Sequence, residues 1–280
     1  MLAQSNSTEV QADDLLKHYT PTPGYTTIFV PGENALKHVG LGILRLAAGQ
    51  SLTFGGETGK ETSLTILTGT LDAETTDRPR WQKLGGRSSV FDGPTDTLLL
   101  PSGSSITLLA ATDCEIAVCQ AASQETGPVQ LFAAKAATIA QRGQPGWQRE
   151  VRTYIGSSET KQRLILGETI NAVGQWSSFP PHKHDRNNLP TESELEEVYL
   201  FKFKPDSGFA FQGLYSLDDP ATINRAFVVR ENDAVAIPRG YHPVAAAPGH
   251  AVYYFWALAG IGHELKFYTQ DSLRFLEPGV

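Results

Sequence analysis

The sequence predicts an all-β protein built from two similar barrels. Three features carry that reading. Helical periodicity is scarce, short apolar runs recur between Gly, Pro, Asp and Ser along the chain, and the second half repeats the frame of the first. A chain of 280 residues has room for two domains of about 140 residues each, with a sizeable core.

Near the N-terminus, Asp13-Asp14-Leu15-Leu16-Lys17-His18 predicts a short helical turn. Strands are then expected over 41–47, 63–67, 97–100, 105–110 and 116–120. The Gly/Pro-rich break Gln141-Arg142-Gly143-Gln144-Pro145-Gly146 reads as a linker, which predicts domains over 1–142 and 143–280. Further strands are expected over 163–169, 197–203, 226–229, 234–237 and 251–258, and a second short turn over 271–276.

The duplication rests on two pairs of segments. Glu61-Thr62-Ser63-Leu64-Thr65-Ile66-Leu67-Thr68-Gly69, followed by Leu98-Leu99-Leu100-Pro101-Ser102-Gly103-Ser104-Ser105, matches Glu197-Val198-Tyr199-Leu200-Phe201, followed by Val235-Ala236-Ile237-Pro238-Arg239-Gly240-Tyr241-His242. Superposing the Pro-x-Gly-x-x segments sets Ser105 over His242. No His-x-His pair occurs between Gly49 and Glu61. The first copy therefore has the frame without the ligands, and a structural role is expected for it.

Composition excludes several classes of function. The formal net charge is -7 with no long basic run, which argues against nucleic acid as a partner. No apolar stretch is long enough to span a membrane as a helix, and the first residues lack a signal-peptide pattern, so cytoplasmic residence is expected. Cys114 and Cys119 are the only cysteines. Their odd spacing on a strand puts them on opposite faces, so reduced, buried thiols are expected rather than a disulfide.

His182 and His184 carry the functional signal. In the extended run Phe179-Pro180-Pro181-His182-Lys183-His184-Asp185 they stand i, i+2, point the same way and can grip one ion. Glu197 opens the next strand, and His242 follows the Pro-x-Gly turn. Three imidazoles and one carboxylate suit a single divalent ion such as Zn, Mn, Fe, Co or Ni. Glu196 and Glu197 are adjacent and face opposite sides of their strand. Glu197 shares its face with Tyr199, Phe201 and Phe203, a set suited to a barrel interior, and is favoured over Glu196 as the ligand.

These segments resemble the cupin motifs. Trp176-Ser177-Ser178-Phe179-Pro180-Pro181-His182-Lys183-His184-Asp185 is similar to the signature of the 5-deoxy-glucuronate isomerase family of myo-inositol catabolism. So are Leu195-Glu196-Glu197-Val198-Tyr199, Pro238-Arg239-Gly240-Tyr241-His242-Pro243-Val244 and Ala247-Pro248-Gly249. Gly86-Arg87-Ser88-Ser89-Val90-Phe91-Asp92-Gly93-Pro94 resembles the hallmark of the family's N-terminal half. The chain departs from the family's usual residues at Phe255-Trp256-Ala257-Leu258-Ala259-Gly260 and over 270–276, away from the ligands. The resemblance implies a bicupin, two tandem jelly-roll barrels with a few short helices. It implies an aldose–ketose isomerase that converts 5-deoxy-D-glucuronate to 2-deoxy-5-keto-D-gluconate. A small sugar acid is then the expected partner, and open barrel sheets are compatible with a homodimer. A cupin dioxygenase and a non-catalytic sugar-acid-binding bicupin are the alternatives that a ligand set alone leaves open.

Moving a carbonyl from C1 to C2 needs a proton carrier and a stabiliser of developing charge. Glu196, Tyr241 and Tyr254 are the candidate proton-handling residues. Arg186 and Arg239, which flank the ligand segments, are the candidate partners of the substrate carboxylate. The polar stretch 185–194 reads either as a flap over the site or as a surface loop.

Overall fold

Alternation of apolar and polar residues between turn residues produces strands throughout, as seen in a computed structural model that describes residues 12–277 apart from 34, 77, 78 and 158–161. The first half contains β1 (Leu16–His18), β2 (Gly24–Phe29), β3 (Val39–Leu46), β4 (Ser51–Gly55), β5 (Lys60–Glu74), β6 (Arg80–Arg87), β7 (Thr97–Leu100), β8 (Ser105–Ala110), β9 (Cys114–Ala122) and β10 (Gln130–Phe132). The second contains β11 (Thr138–Arg142), β12 (Arg149–Ile155), β13 (Ile165–Asn171), β14 (Trp176–Ser177), β15 (His182–Lys183), β16 (Asp185–Asn188), β17 (Glu192–Lys204), β18 (Phe209–Tyr215), β19 (Asn224–Arg230), β20 (Asp233–Ile237), β21 (Val244–Ala246), β22 (Ala251–Gly260) and β23 (Tyr268–Thr269). Among the described residues helix is limited to one turn, α1 (Ala12–Leu15), and 3-10 turns at Ala134–Ala136 and Asp271–Leu276. The expected turn over 13–18 stops at Leu15. Leu16–His18 instead extend and pair with β20.

The duplication is written in the strand order. One sheet runs β10-β7-β5-β9-β3-β2, and the other β1-β20-β17-β22-β13-β12-β11. In each, the strand before a Pro-x-Gly turn lies beside the longest strand of its half. Gly103 and Gly240 both adopt positive φ there, +77° and +91°, which a side chain would strain. A Cβ on Gly240 would also meet the Tyr215 carbonyl at 2.6 Å. Further sheet segments face these two sheets: β4, β8 and β6 with the far half of β5 in the first barrel, and β14-β21-β18-β19 in the second.

Strand pairing divides the chain differently from the expected boundary at 142/143. That point lies in the hairpin that joins β11 to β12, whose residues pair from Thr138↔Thr153 to Arg142↔Arg149. The change of sheet comes between Phe132 and Thr138, and β1 crosses over to the second barrel. The Gly/Pro-rich break is thus a hairpin turn within one sheet and not a linker.

Register also refines the internal comparison by one residue. Leu100, just before Pro101, pairs with Thr62, and Ile237, just before Pro238, pairs with Glu197. Thr62 therefore occupies the position of Glu197, and Glu61 that of Glu196. The interior of the first barrel is filled by Leu44, Leu64, Leu98, Ile106, Ile116 and Val118, a packed core; among the described residues the group of three possible ligands, His184, Glu197 and His242, lies in the second barrel.

The outward faces of the two main sheets meet in one buried cluster. Val39, Leu41, Ile43 and Ala117 join Val198, Leu200, Phe255 and Ala257 there. Cys114 packs in the first barrel and Cys119 in this shared cluster, so the thiols do face opposite ways and both are free. Polar groups inside the interface are paired across it. Glu61 of the first barrel accepts the backbone N–H groups of Arg163 and Leu164, each at 2.7 Å, where the chain enters β13. Glu196 of the second accepts those of Lys37 and His38, each at 2.7 Å, where the chain enters β3. Each barrel thus holds the entry to the equivalent strand of the other. A second junction centres on Glu168, which is fully buried. It is ion-paired with Arg87 of the first barrel and accepts hydroxyls from Tyr154 at 2.6 Å and Tyr253 at 2.7 Å. Arg87 and Arg152 both also donate to the Gly93 carbonyl.

These contacts set an expected energetic scale. Glu61→Ala and Glu196→Ala each leave two backbone N–H donors without their acceptor and remove two charge-assisted hydrogen bonds. Either substitution is expected to destabilise the fold by about 2–4 kcal/mol in chemical denaturation. Arg87→Ala removes the closer of the two arginines paired with the buried Glu168, leaving Arg152 at 3.5 Å, and is expected to cost about 3 kcal/mol in the same measurement.

Candidate metal centre

The two-residue period of β17 sorts its side chains between the barrels. Glu196, Val198 and Leu200 face the first barrel, whereas Glu197 and Tyr199 face the interior of the second. There they line a cavity of about 560 Å³, a size usual for small-ligand sites. Glu196 is spent on the backbone of Lys37 and His38. Its candidacy as the proton carrier beside the metal is withdrawn on that geometry.

Three elements bring the ligand residues together: the segment at β15, strand β17 and the turn after β20. Glu197 Oε2 lies 3.2 Å from His184 Nε2 and 3.4 Å from His242 Nε2. The ligand atoms of these three buried residues all fall within 4.8 Å of one another. His182 stands next to them on the cavity wall, its ring centroid 4.9 Å from that of His242 and 4.5 Å from that of Phe267.

Hydrogen bonding shows why this group suits a cation. His182 Nδ1 bonds to the Pro180 carbonyl at 3.3 Å, His184 Nδ1 to that of Leu195 at 2.8 Å, and His242 Nδ1 to that of Gly240 at 2.9 Å. A carbonyl only accepts, so each Nδ1 carries the hydrogen and each neutral ring offers a lone pair at Nε2. Two of these lone pairs then face a carboxylate oxygen. His242 Nε2 is buried without a hydrogen-bond partner. Acceptors aimed at acceptors repel until a cation lies among them or a ring takes a proton. The donor set, imidazole nitrogens with one carboxylate, fits a divalent metal of intermediate softness.

The protonation equilibria follow the same geometry. Burial, then the neighbouring His182, pushes His242 down to about 3. Burial, then His184, does the same to His182, also to about 3. Burial pulls on His184 as well, but its hydrogen bond and charge contact with Glu197 more than offset this, and its pKa rises above the usual value.

The other expected site residues are placed as follows. Tyr254 lines the cavity and donates to Ser177 Oγ at 3.0 Å. Tyr241 does not line it; it follows β20 in the segment before β21, its ring stacks on Tyr215, and burial raises its phenol to about 12. Arg186 is exposed and ion-paired with Asp218, and Arg239 is hydrogen-bonded to Thr222. Neither lines the cavity, so both are corrected as partners of a substrate carboxylate. Lys183 points away from the ligands, as its position between the histidines demands, into a buried pairing with Asp185 and Glu192, each at 2.6 Å. The polar stretch after it forms a hairpin of β16 with β17, not a flap.

Several wall residues were missed in the sequence. Tyr199 shares the face of Glu197, a signal that was available; its hydroxyl pairs with Ser178 Oγ at 3.0 Å, and burial followed by the Glu197 charge holds its pKa well above the usual value. Arg149, Val151 and Thr153 come from β12, and Leu265, Phe267 and Thr269 from the C-terminal segment, which β23 ties to β15 through His182↔Thr269. Trp256 and Leu258, from the segment that departs from the family pattern, also line the cavity. Gly167 makes room for that indole: a Cβ there would lie 2.5 Å from its ring.

Glu197→Gln and His242→Ala are expected to lose bound metal, while Glu196→Gln retains about one ion per chain by elemental analysis. Ligation requires His184 to release its proton. Apparent metal affinity is therefore full above the raised His184 pKa and falls by up to about tenfold per pH unit as pH drops below it, which metal titration across pH 5–8 measures.

Sequence and structure comparisons agree with this geometry. A profile of the KduI/IolB family matches residues 16–276. The chain is 35% identical over 256 residues to a 5-deoxy-glucuronate isomerase of Geobacillus thermodenitrificans, covering 90% of this chain and 92% of the relative. It is 35% identical over 244 residues to the protein of the same name in Bacillus subtilis, covering 86% and 88%. An IolB-like protein from Salmonella typhimurium superposes with a TM-score of 0.88 at 30% identity, over 94% of this chain and 98% of that one. Oxalate decarboxylase from Lactobacillus farciminis, at 10% identity and a TM-score of 0.63, covers 96% and 92% and shares the fold. No helix among the described residues is long and apolar enough to cross a membrane.

Proposed function

The chain belongs to the KduI/IolB family, and on that premise we propose that it is a metal-dependent aldose–ketose isomerase acting on 5-deoxy-D-glucuronate, with 2-deoxy-5-keto-D-gluconate as product. The observation that carries the metal dependence is the convergence of imidazole lone pairs and the Glu197 carboxylate inside the cavity. His182, His184, Glu197 and His242 would hold one divalent ion of the Zn, Mn, Fe, Co or Ni type. Bound there, such an ion supplies a Lewis acid for the charge that builds on the sugar oxygens.

The chain's own residues shape the rest of the reaction. Isomerisation removes a proton next to a carbonyl and returns one to the neighbouring carbon. Tyr254 and Tyr199 stand together on the wall, ring centroids 4.5 Å apart, with hydroxyls tied to Ser177 and Ser178. Burial raises both phenols, most of all Tyr199 beside Glu197, so both remain protonated at neutral pH. Tyr254 gives its hydrogen to Ser177 and presents its oxygen as an acceptor for a sugar hydroxyl, whereas Tyr199 can accept from Ser178 and donate to a sugar oxygen. Phe267, Trp256 and Leu258 provide apolar wall, which restricts water around the reacting carbons.

An anaerobic assay tests the proposal. The metal-loaded protein is expected to form the ketose from 5-deoxy-glucuronate without oxygen, and chelation to abolish turnover. Consumption of oxygen, or a metal-loaded protein that leaves the sugar acid unchanged, contradicts it. Tyr254→Phe is expected to retain metal and to lower kcat by about tenfold or more.

A further inference from the structure

Two arginines on the cavity wall have no counterpart in the metal chemistry. Arg142 ends β11 and Arg149 begins β12, and the ladder sets them directly opposite each other. Both line the same cavity as His182 and Glu197. Arg149 is half-buried. Its Nη1 donates to two neutral carbonyls, that of Phe179 at 2.9 Å and that of Trp147 at 3.3 Å.

The same strand shows what a neutralised arginine looks like. Arg152, on the other face of β12, bonds Glu150 at 2.7 Å and lies 3.5 Å from Glu168. Among the described residues no carboxylate is ion-paired with Arg149 or Arg142. Of the two carboxylates on the cavity wall, Glu197 is engaged by histidines, and Glu277 at the rim forms no ion pair with either arginine. Like charges directly opposite on a ladder destabilise it, and burying part of a guanidinium without a counter-ion adds to that cost. An anion between them removes both penalties.

We propose that Arg149, with Arg142 across the ladder, binds the carboxylate of the sugar-acid substrate. The inference rests on the isomerase reading above and assigns a specificity-determining role to residues outside the metal group. The planar guanidinium matches a carboxylate through paired N–H donors. Its anchor, the Phe179 carbonyl, belongs to the segment that carries His182 three residues on. One short loop therefore sets the spacing between the anion-binding end and the metal-binding end, and a linear sugar acid spans the two.

The test compares wild type, Arg149→Gln, Arg149→Lys and Arg142→Gln, each with metal content and folding verified. Two ligands are used: 5-deoxy-glucuronate, and the neutral aldose with CH2OH in place of the carboxylate. Both turnover and equilibrium binding are measured. Arg149→Gln is expected to weaken the acid by about tenfold to a hundredfold, mainly in KM and Kd, and to weaken the neutral aldose at least about fivefold less. The preference for acid over neutral ligand then collapses. Arg149→Lys keeps part of that preference and Arg142→Gln loses a smaller share, so both report even where the glutamine variant folds poorly. Wild-type preference in all three variants, or equal weakening of both ligands, overturns the proposal. Binding that depends on Arg149 in a wild type without turnover sinks the isomerase reading and leaves the carboxylate site in place.

Discussion

Strand β17 is buried on both sides, and its two-residue period governs the rest of the structure. Glu196 and Glu197 are neighbours in sequence, yet the pleat sends one to each barrel. Glu197 faces inward and meets the histidines. Glu196 faces outward and satisfies two backbone N–H groups at the entry to β3. A shift of register by one residue would exchange these roles, put a structural carboxylate in the cavity and leave the metal group without its oxygen ligand. Pairing of β17 with β20 over Glu197–Leu200 on one side and with β22 over Leu195–Lys204 on the other opposes that slip.

The first barrel makes sense in the same terms. Its interior is filled by aliphatic side chains, and Thr62 stands where Glu197 stands in the second. What it retains from the duplication is the outward carboxylate: Glu61 grips the second barrel as Glu196 grips the first. The first barrel thus covers the back of the sheet that bears Glu197. Arg87, reaching across to the fully buried Glu168, anchors the same contact from another direction.

Much of this was legible in the sequence because it depends on local spacing. Strands over 97–100 and 105–110 match β7 and β8, and the i, i+2 histidines, the Pro-x-Gly turn and the preference for Glu197 all follow from short-range geometry. What escaped depends on which strands meet. Strand β12 carries no clear alternation of apolar and polar residues in Arg149-Glu150-Val151-Arg152-Thr153-Tyr154, so its side chains were not placed on the wall. Arg186 and Arg239 sit near the ligands in sequence and attracted the role of anion partner, whereas Arg149, brought in by pairing with β13 and β11, faces the cavity. Tyr241 failed for the same reason that Glu197 succeeded: it alternates with a ligand, His242, and so points away. The Gly/Pro-rich break reads in the sequence as a linker between domains and is a hairpin turn in the structure, since a hairpin and a linker share the same composition.

The central claim is that three imidazoles, each presented through Nε2 by a carbonyl on Nδ1, and Glu197 grip one divalent ion. X-ray absorption spectroscopy of the metal-loaded protein tests it most directly, because imidazole outer-shell scattering reports the number of rings bound. Three imidazoles with oxygen completing the shell are the expected result, and in Glu197→Ala the signal is lost with the bound ion. Two or fewer imidazoles, or a spectrum unchanged by Glu197→Ala, contradicts it.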